Sequence, residues 1–337
     1  MNKKRALVIG ANYGLLLAGM LKERNFDVEV FGTEKQVETL RQEGFSFNMN
    51  DSVWNYMPSN ELKFINSFTE NNYDLAILAV QEPTLSNQKI AEIISLISKV
   101  STPILSIMNI PLLSFLKDVV GIHNINNPEI IYSSLKYSNL LNSKLIINCN
   151  PEPQIFSKDK FNNLNIRLGG VFRCSSLNIL SKDIILDLTK SIENGLPAKI
   201  KSYRSPWVSL SKLPMLMTGN YRCLSDFKLK SIFESVYQDT KQSEIIYNQV
   251  IEMMKKLGAG REAIIPFKFY LRASVKLDAP SSVCRSIVSG NQNVERVDKL
   301  VQSISKSIGY NSPEIDKIVN NIDESINFFK SKNNKID

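Results

Sequence analysis

The stretch from Met1 to Thr33 constrains the fold more than any other. Ala6-Leu7-Val8-Ile9 is a short apolar run, long enough for a buried parallel strand and too short for a helix. Gly10-Ala11-Asn12-Tyr13-Gly14 follows, then Leu15 to Arg24 at helical periodicity, then a second strand run, Val28-Glu29-Val30-Phe31. A strand that turns sharply into a helix aims the helix's first amides at whatever occupies the turn, and that geometry suits a pyrophosphate. The opening unit therefore points to a bound dinucleotide and to redox chemistry. A strand–turn–helix that binds nothing is the plainer alternative.

The glycine pattern is incomplete. A full dinucleotide fingerprint is G-x-G-x-x-G, whose second glycine lets the backbone approach the phosphates. Here Gly10 and Gly14 are four apart, with no glycine between them. Either the loop is one residue shorter, with Asn12 taking a left-handed conformation at some cost, or the phosphates sit differently.

At 337 residues with 43% hydrophobic content, the chain supplies two ordinary domains. No apolar run reaches bilayer-spanning length. The basic start Met1-Asn2-Lys3-Lys4-Arg5 leads into a strand pattern, so no secretion signal is expected. Cys149, Cys174, Cys223 and Cys284 lie far apart without metal-ligand or redox spacing, which reads as reduced, buried thiols in a cytoplasmic protein. His123 is the single histidine, so neither a histidine triad nor a zinc site is expected, and a proton donor must be sought elsewhere. The formal charge of +8 raises nucleic-acid binding, yet no nucleic-acid motif is legible and none is expected. Between Ala198 and Lys230, Lys199, Lys201, Arg204, Lys212, Arg222, Lys228 and Lys230 stand against Asp226 alone. That stretch suits a small anionic substrate or a phosphorylated cofactor; a solvated helix face is the plainer reading.

Glu34 to Gly44 reads as a helix, and Asp51 to Ser59 as a loop or short hairpin. Tyr73 to Val80 is a buried strand, Gln81-Glu82-Pro83 a turn, Asn87 to Val100 an amphipathic helix and Pro103 to Ile107 a further strand. Alternating strands and helices imply a doubly wound parallel sheet, with ligands beyond the carboxyl ends of its strands. Short β-like runs continue at Leu145 to Cys149 and Asn165 to Leu168, with a helix over Asp183 to Glu193. Beyond Pro206 helices follow one another: Leu210–Leu224, Lys228–Tyr237, Glu244–Leu257, Ser281–Ser289, Val294–Ile308 and Glu314–Lys330. The division expected is 1–205 for the α/β domain, 206–330 for a helical domain and a frayed tail over 331–337.

Lys212 and Asn220 are eight residues apart, which on one continuous helix sets both on nearly the same face. A lysine and an amide facing one crevice can hold and protonate a carbonyl oxygen while hydride reaches its carbon. Later in the chain, Ser281-Ser282 precede one helix, and Gly290 to Asn293 precede another that contains Glu295 and Asp298. Taken singly, each reads as a surface residue or a helix cap.

Together and in this order, these segments resemble the ketopantoate reductase family, within the 6-phosphogluconate-dehydrogenase-like proteins. The resemblance spans nearly the whole chain. It is carried by Val8-Ile9-Gly10…Gly14, Asn25 to Val28, Asp74 to Gln81, Ser106 to Asn109, Gly195-Leu196-Pro197 through Trp207 to Leu213, and Ser281-Ser282…Gly290…Glu295. It implies a Rossmann-like sheet domain followed by an all-α domain, a site in the cleft between them, and NADPH-dependent reduction of a 2-oxo acid. On that resemblance Lys212 is the catalytic lysine, and Asn220 the second of two substrate-binding asparagines. Asn109 borders cofactor and substrate, Ser281 or Ser282 contacts substrate, and Glu295 approximates the helical glutamate. Gly10, Ala11, Asn12, Tyr13, Gly14, Thr33, Lys35 and Gln81 are the cofactor-binding positions. The resemblance also implies a homodimer.

The chain departs from the family pattern in several places. Gln81 stands where a lysine is usual, Leu216 replaces the first substrate asparagine, Ile110 replaces a glycine, and Glu295 sits one position late. Pro214 disfavours a helical Leu213, which puts Lys212 at or before its helix start. No acid occupies the first positions past Phe31, while Lys35 is near, which favours NADP over NAD, with Glu34 the counter-argument. The leading expectation is an NADP-dependent reductase of a small 2-oxo acid. The alternatives are an opine-dehydrogenase-like reductase and a non-catalytic nucleotide-binding sensor or scaffold.

Overall fold

The computed structural model describes residues 3–49, 52–68, 72–135, 140–151, 154–157, 160–168, 170–175 and 198–333. The helix expected over Asp183 to Glu193, and the Gly195-Leu196-Pro197 segment, lie outside them. The chain divides into two compact units, Met1–Val120 with Lys136–Ser209, and Gly121–Leu135 with Leu210–Asp337. Gly121–Leu135 therefore belongs with the helical unit, which no contiguous division anticipates. Within that unit the Asn126 amide donates to Ser303 Oγ at 2.6 Å.

The first unit is built on an eight-stranded sheet. In chain order its strands are β1 (Arg5–Ile9), β2 (Asp27–Phe31), β5 (Leu62–Ile65), β6 (Leu75–Leu78), β7 (Ile104–Ile107), β8 (Ile146–Pro151), β11 (Gly170–Ser175) and β12 (Ala198–Tyr203). They lie in the order β12-β11-β8-β7-β6-β1-β2-β5, parallel from β5 through β8, with β11 antiparallel to β8 and parallel to β12. Helices α1 (Tyr13–Lys22), α2 (Glu34–Glu43) and α3 (Gln88–Lys99) follow β1, β2 and β6. A second sheet, β4-β3-β10-β9, comprises β3 (Phe45–Met49), β4 (Ser52–Tyr56), β9 (Gln154–Ser157) and β10 (Asn163–Leu168). The segment read as a loop or short hairpin thus supplies β4, paired antiparallel to β3.

The second sheet accounts for the composition of α1. Leu15 through Leu21 are all buried, which an amphipathic helix on a single sheet would not show. One core joins α1 to Val8, Val28 and Ile77 of the large sheet and to Phe47, Tyr56 and Leu164 of the small one. The helix is enclosed on two sides.

The thiol reading is corrected here. Cys149 on β8 and Cys174 on β11 are direct cross-strand partners and form a disulfide, with Cα atoms 4.1 Å apart. Their separation of 25 residues hides a pairing that the sheet register creates. Cys223 and Cys284 are free and buried.

The second unit is helical: α4 (Leu213–Thr218), α5 (Ile232–Tyr237), α6 (Thr240–Lys256), α7 (Phe267–Ser274), α8 (Ser282–Val288), α9 (Val297–Ser307) and α10 (Pro313–Asn333). The single helix expected over Leu210–Leu224 is absent. A 3-10 turn ends at Leu210, α4 stops at Thr218, and a second 3-10 turn covers Asn220–Arg222. The break falls at Gly219, where any Cβ would overlap the Tyr270 hydroxyl. Leu224–Ser225 (β13) and Lys228–Leu229 (β14) then form a hairpin through Asp226 and Phe227, both at positive φ. The next helix consequently starts at Ile232, behind a Ser231–Glu234 capping box, and not at Lys228. Helix α7, which the sequence reading lacks, follows Pro266 and buries Phe267, Tyr270 and Ser274. The tail also differs: α10 runs to Asn333, past the expected start of fraying.

Among the described residues, no helix is long and apolar enough to cross a membrane, and no cluster of His, Cys, Asp or Glu could hold a metal ion.

Candidate functional site

In the first unit, Gly10 ends β1 at φ +115°, and a Cβ there would overlap the Ala79 carbonyl oxygen. Ala79 is itself tied to β1, its amide donating to the Ile9 carbonyl at 2.8 Å. Only glycine fits a bend that passes so close to the end of β6. Asn12 caps α1 at φ 53°, ψ −101°; φ is positive, but ψ lies outside the left-handed region that the shortened-loop reading expects. That ψ lies far from the extended conformation of an ordinary N-cap, and its side chain makes no cap hydrogen bond. Tyr13 opens the helix, its ring edge-on to Phe172 at 6.0 Å. With Ala11 and Gly14, these residues form a tight bend leading into a helix with no acid in its first turn. The bend fits the diphosphate of a dinucleotide, because its backbone has no side chain at Gly10 and the helix dipole is not offset by an acid.

At the end of β2, Thr33 caps α2 in a reciprocal box with Gln36: Thr33 Oγ1 accepts from the Gln36 amide at 3.3 Å, and Gln36 Oε1 accepts from the Thr33 amide at 2.9 Å. Thr33, Glu34 and Lys35 are exposed. Gln81 is exposed at the cap of the 3-10 turn Glu82–Ser86. Glu82, which sequence reasoning passed over as part of a turn, is only 1% exposed. Its signal was position alone, a carboxylate just past an apolar strand. Asn109 is half-buried, two residues beyond β7.

A polar row crosses the sheet through β7, β8 and β11. Ser106, Asn148 and Ser175 are in-register partners on β7, β8 and β11, share one face, and are 0% exposed. Their side chains have no hydrogen-bond partner. Two residues along β8, Asn150 donates to the Val208 carbonyl at 2.6 Å.

In the second unit, Lys212 stands at the N-cap of α4, half-buried, with Pro214 in the first turn, as the proline predicts. Asn220 lies beyond the Gly219 break, so the two do not share one helix face as the eight-residue spacing suggested. The structure instead gathers Asn220, Ser281 and Glu295 around the 3-10 turn. Ser281 is 1% exposed; its hydroxyl donates to the Asn220 carbonyl at 2.7 Å and caps α8 by accepting from the Cys284 amide at 3.3 Å. Cys284 Sγ also donates to the Asn220 carbonyl, at 3.2 Å. Burial, with Cys223 beside it, pushes the Cys284 thiol up to about 12, so it stays a protonated donor. Ser282 is exposed.

Glu295 precedes α9 and is not within a helix; its side chain is buried. Its carbonyl accepts from the Tyr221 hydroxyl at 2.5 Å, and the same hydroxyl accepts from the Val297 amide at 3.0 Å. Burial first, then Asp298 and Glu295, raise the Tyr221 phenol well above its ordinary value. Next to Glu295, Arg296 binds Asp298 through two hydrogen bonds (3.0 and 2.7 Å) and Asp323 at 2.7 Å. Asp298 therefore belongs to a structural ion network.

No family model matches the chain, and a search of the curated proteins finds no match. Solved structures do match over nearly its full length. A protein described as a ketopantoate reductase from Ralstonia solanacearum MolK2 is 13% identical, with a TM-score of 0.73 over 97% of this chain and 99% of its own. 2-Dehydropantoate 2-reductase from Geobacter metallireducens GS-15 is 14% identical, with a TM-score of 0.67 over 95% and 99%. D-mandelate dehydrogenase, solved with NADH and anilino(oxo)acetate, is 15% identical, with a TM-score of 0.67 over 97% and 99%. The chain shares the fold of these oxidoreductases: a Rossmann-like sheet unit and a predominantly helical unit.

Proposed function

We propose that the chain is a divergent relative of the ketopantoate reductases that reduces a small, anionic 2-oxo acid to the 2-hydroxy acid with NADPH. The observation that carries this reading is the Gly10 bend, closed against Ala79 at the carboxyl ends of β1 and β6 in a chain with the reductase fold over nearly its full length. Gly10 through Gly14 hold the diphosphate, with Gln81 and Asn109 flanking it. NADP is favoured because no acid stands at the first positions past β2, where one would bind the ribose 2′-hydroxyl, and because Lys35 is exposed nearby. Thr33 contributes little there, since its amide and Oγ1 are engaged in the capping box.

The dinucleotide, when bound, supplies the hydride. Lys212 donates the proton to the substrate's carbonyl oxygen, Asn220 orients that oxygen, and Glu295 contributes to holding the substrate. Ser282 is the serine available to the substrate, because the Ser281 hydroxyl is committed to Asn220 and Cys284. A homodimer and a cytoplasmic location are parts of the same proposal. The deciding experiment follows NADPH and NADH oxidation against a panel of 2-oxo acids, alongside fluorescence titration of both coenzymes. Turnover with NADPH supports the reading. Binding without turnover supports a sensor, and no binding of either coenzyme overturns the reading.

A further inference from the structure

The 3-10 turn Asn220–Arg222 connects two residues of the proposed substrate site through their main chains. On one side the Asn220 carbonyl receives Ser281 Oγ and Cys284 Sγ, both from the start of α8. On the other, the next residue, Tyr221, is 2% exposed and sends its hydroxyl to the segment before α9, donating to the Glu295 carbonyl and accepting from the Val297 amide. A phenol that satisfies one carbonyl and one amide two residues apart fixes the backbone path between them. That path carries Glu295. Burial keeps the phenol protonated, so the donor is present across the working pH range.

We propose that Tyr221 is a positioning residue: through its hydroxyl it sets Glu295 at a fixed distance from Asn220, with Ser281 performing the matching task on Asn220. This rests on the reductase reading above. The logic is that of a locked supporting shell, in which small displacements of a substrate-holding group cost far more rate than stability. The break at Gly219 makes the device necessary. Because the helix ends at Thr218, Asn220 is not oriented by a continuous helix and must be fixed by its neighbours.

The test is a double-variant cycle on steady-state reduction of the best 2-oxo acid in the panel. Tyr221→Phe keeps the ring and removes the hydroxyl. We expect kcat/KM to fall about 10- to 100-fold, chiefly through KM for the oxo acid, with NADPH affinity unchanged. In the Tyr221→Phe/Glu295→Gln pair, the second substitution should add almost nothing to the loss from Glu295→Gln alone, because both act through one group. Losses that multiply, or an unchanged kcat/KM in Tyr221→Phe, overturn the proposal. Should Tyr221→Phe fail to fold, the parallel cycle of Ser281→Ala with Asn220→Ala carries the same expectation and the same refutation. A wild-type protein that binds NADPH but turns over no oxo acid overturns the reductase reading and this proposal together. An active wild type with multiplying losses overturns this proposal alone.

Discussion

Substitution of Asn12 by glycine should stabilise this protein, against the usual direction for a glycine introduced near a helix start. Asn12 sits at φ 53°, ψ −101°. Asparagine tolerates the left-handed region, but that region lies near ψ of about +47°, so the observed ψ is a conformation mainly open to glycine. A residue held in such a sparsely populated region costs roughly 1–3 kcal/mol. Removing the side chain also loosens the unfolded chain, which offsets about 0.4–1 kcal/mol of the gain. The Asn12 side chain contributes no cap hydrogen bond to α1, so no capping loss enters the balance. The net expectation is about 1 kcal/mol, or a Tm higher by roughly 2–4 °C for a unit of this size. Differential scanning calorimetry of Asn12→Gly beside the wild type, with and without NADPH, measures it. A Tm equal to or below that of the wild type would refute the claim that the bend stores strain at Asn12. Glycine at this position also restores the second residue of the G-x-G fingerprint, so NADPH affinity should hold or tighten.

Lys212→Ala should lower kcat by about 10²–10⁴-fold, the usual scale for a lost general acid; fluorescence titration should show NADPH binding intact, and unchanged turnover would remove Lys212 from the chemistry. Ser175→Ala should raise stability by about 1–2 kcal/mol in urea melts, because the buried hydroxyl has no partner to lose and its desolvation cost disappears; a loss of stability would mean that the row holds a bridging partner. Arg296→Met leaves Asp298 buried beside a neutral side chain and should cost about 3–5 kcal/mol near pH 7. Burial already pushes Asp298 upward despite the guanidinium, and removing Arg296 pushes it further. A carboxyl whose folded value lies above its unfolded value binds its proton preferentially in the native state. The variant's deficit should therefore be smallest near pH 4 and grow as pH rises toward neutrality; a deficit that shrinks with rising pH would contradict this.

The architecture of the first unit was legible because its strands are short apolar runs bounded by turn residues. Val8-Ile9 before Gly10, and Tyr73 to Val80 before Pro83, can be little other than buried parallel strands. Lys212 does stand just before a helix start, as Pro214 suggested, but the reason was only half right: Leu213, expected to be non-helical before the proline, is the first residue of α4. The site in the helical unit was not legible. The periodicity from Leu210 to Leu224 is consistent with one helix, yet α4 stops at Thr218, and Gly219 lies against Tyr270, far along the chain, where no Cβ would fit. The role of Ser281 was legible only in part: a serine before a helix reads as a cap, which it is, but its hydrogen bond to the Asn220 carbonyl crosses 61 residues of sequence.

The sequence by itself determined a strand–bend–helix opening and an α/β unit followed by helices. These follow from interactions between near neighbours: apolar period, turn chemistry and the geometry of proline. Only the tertiary structure decided that Cys149 meets Cys174, that Gly121–Leu135 joins the helical unit, and that Tyr221 binds the segment carrying Glu295. Each depends on strand register or on the packing of helices distant in sequence. The free energy of those contacts resides in pairs of residues, and no single stretch of chain contains both members.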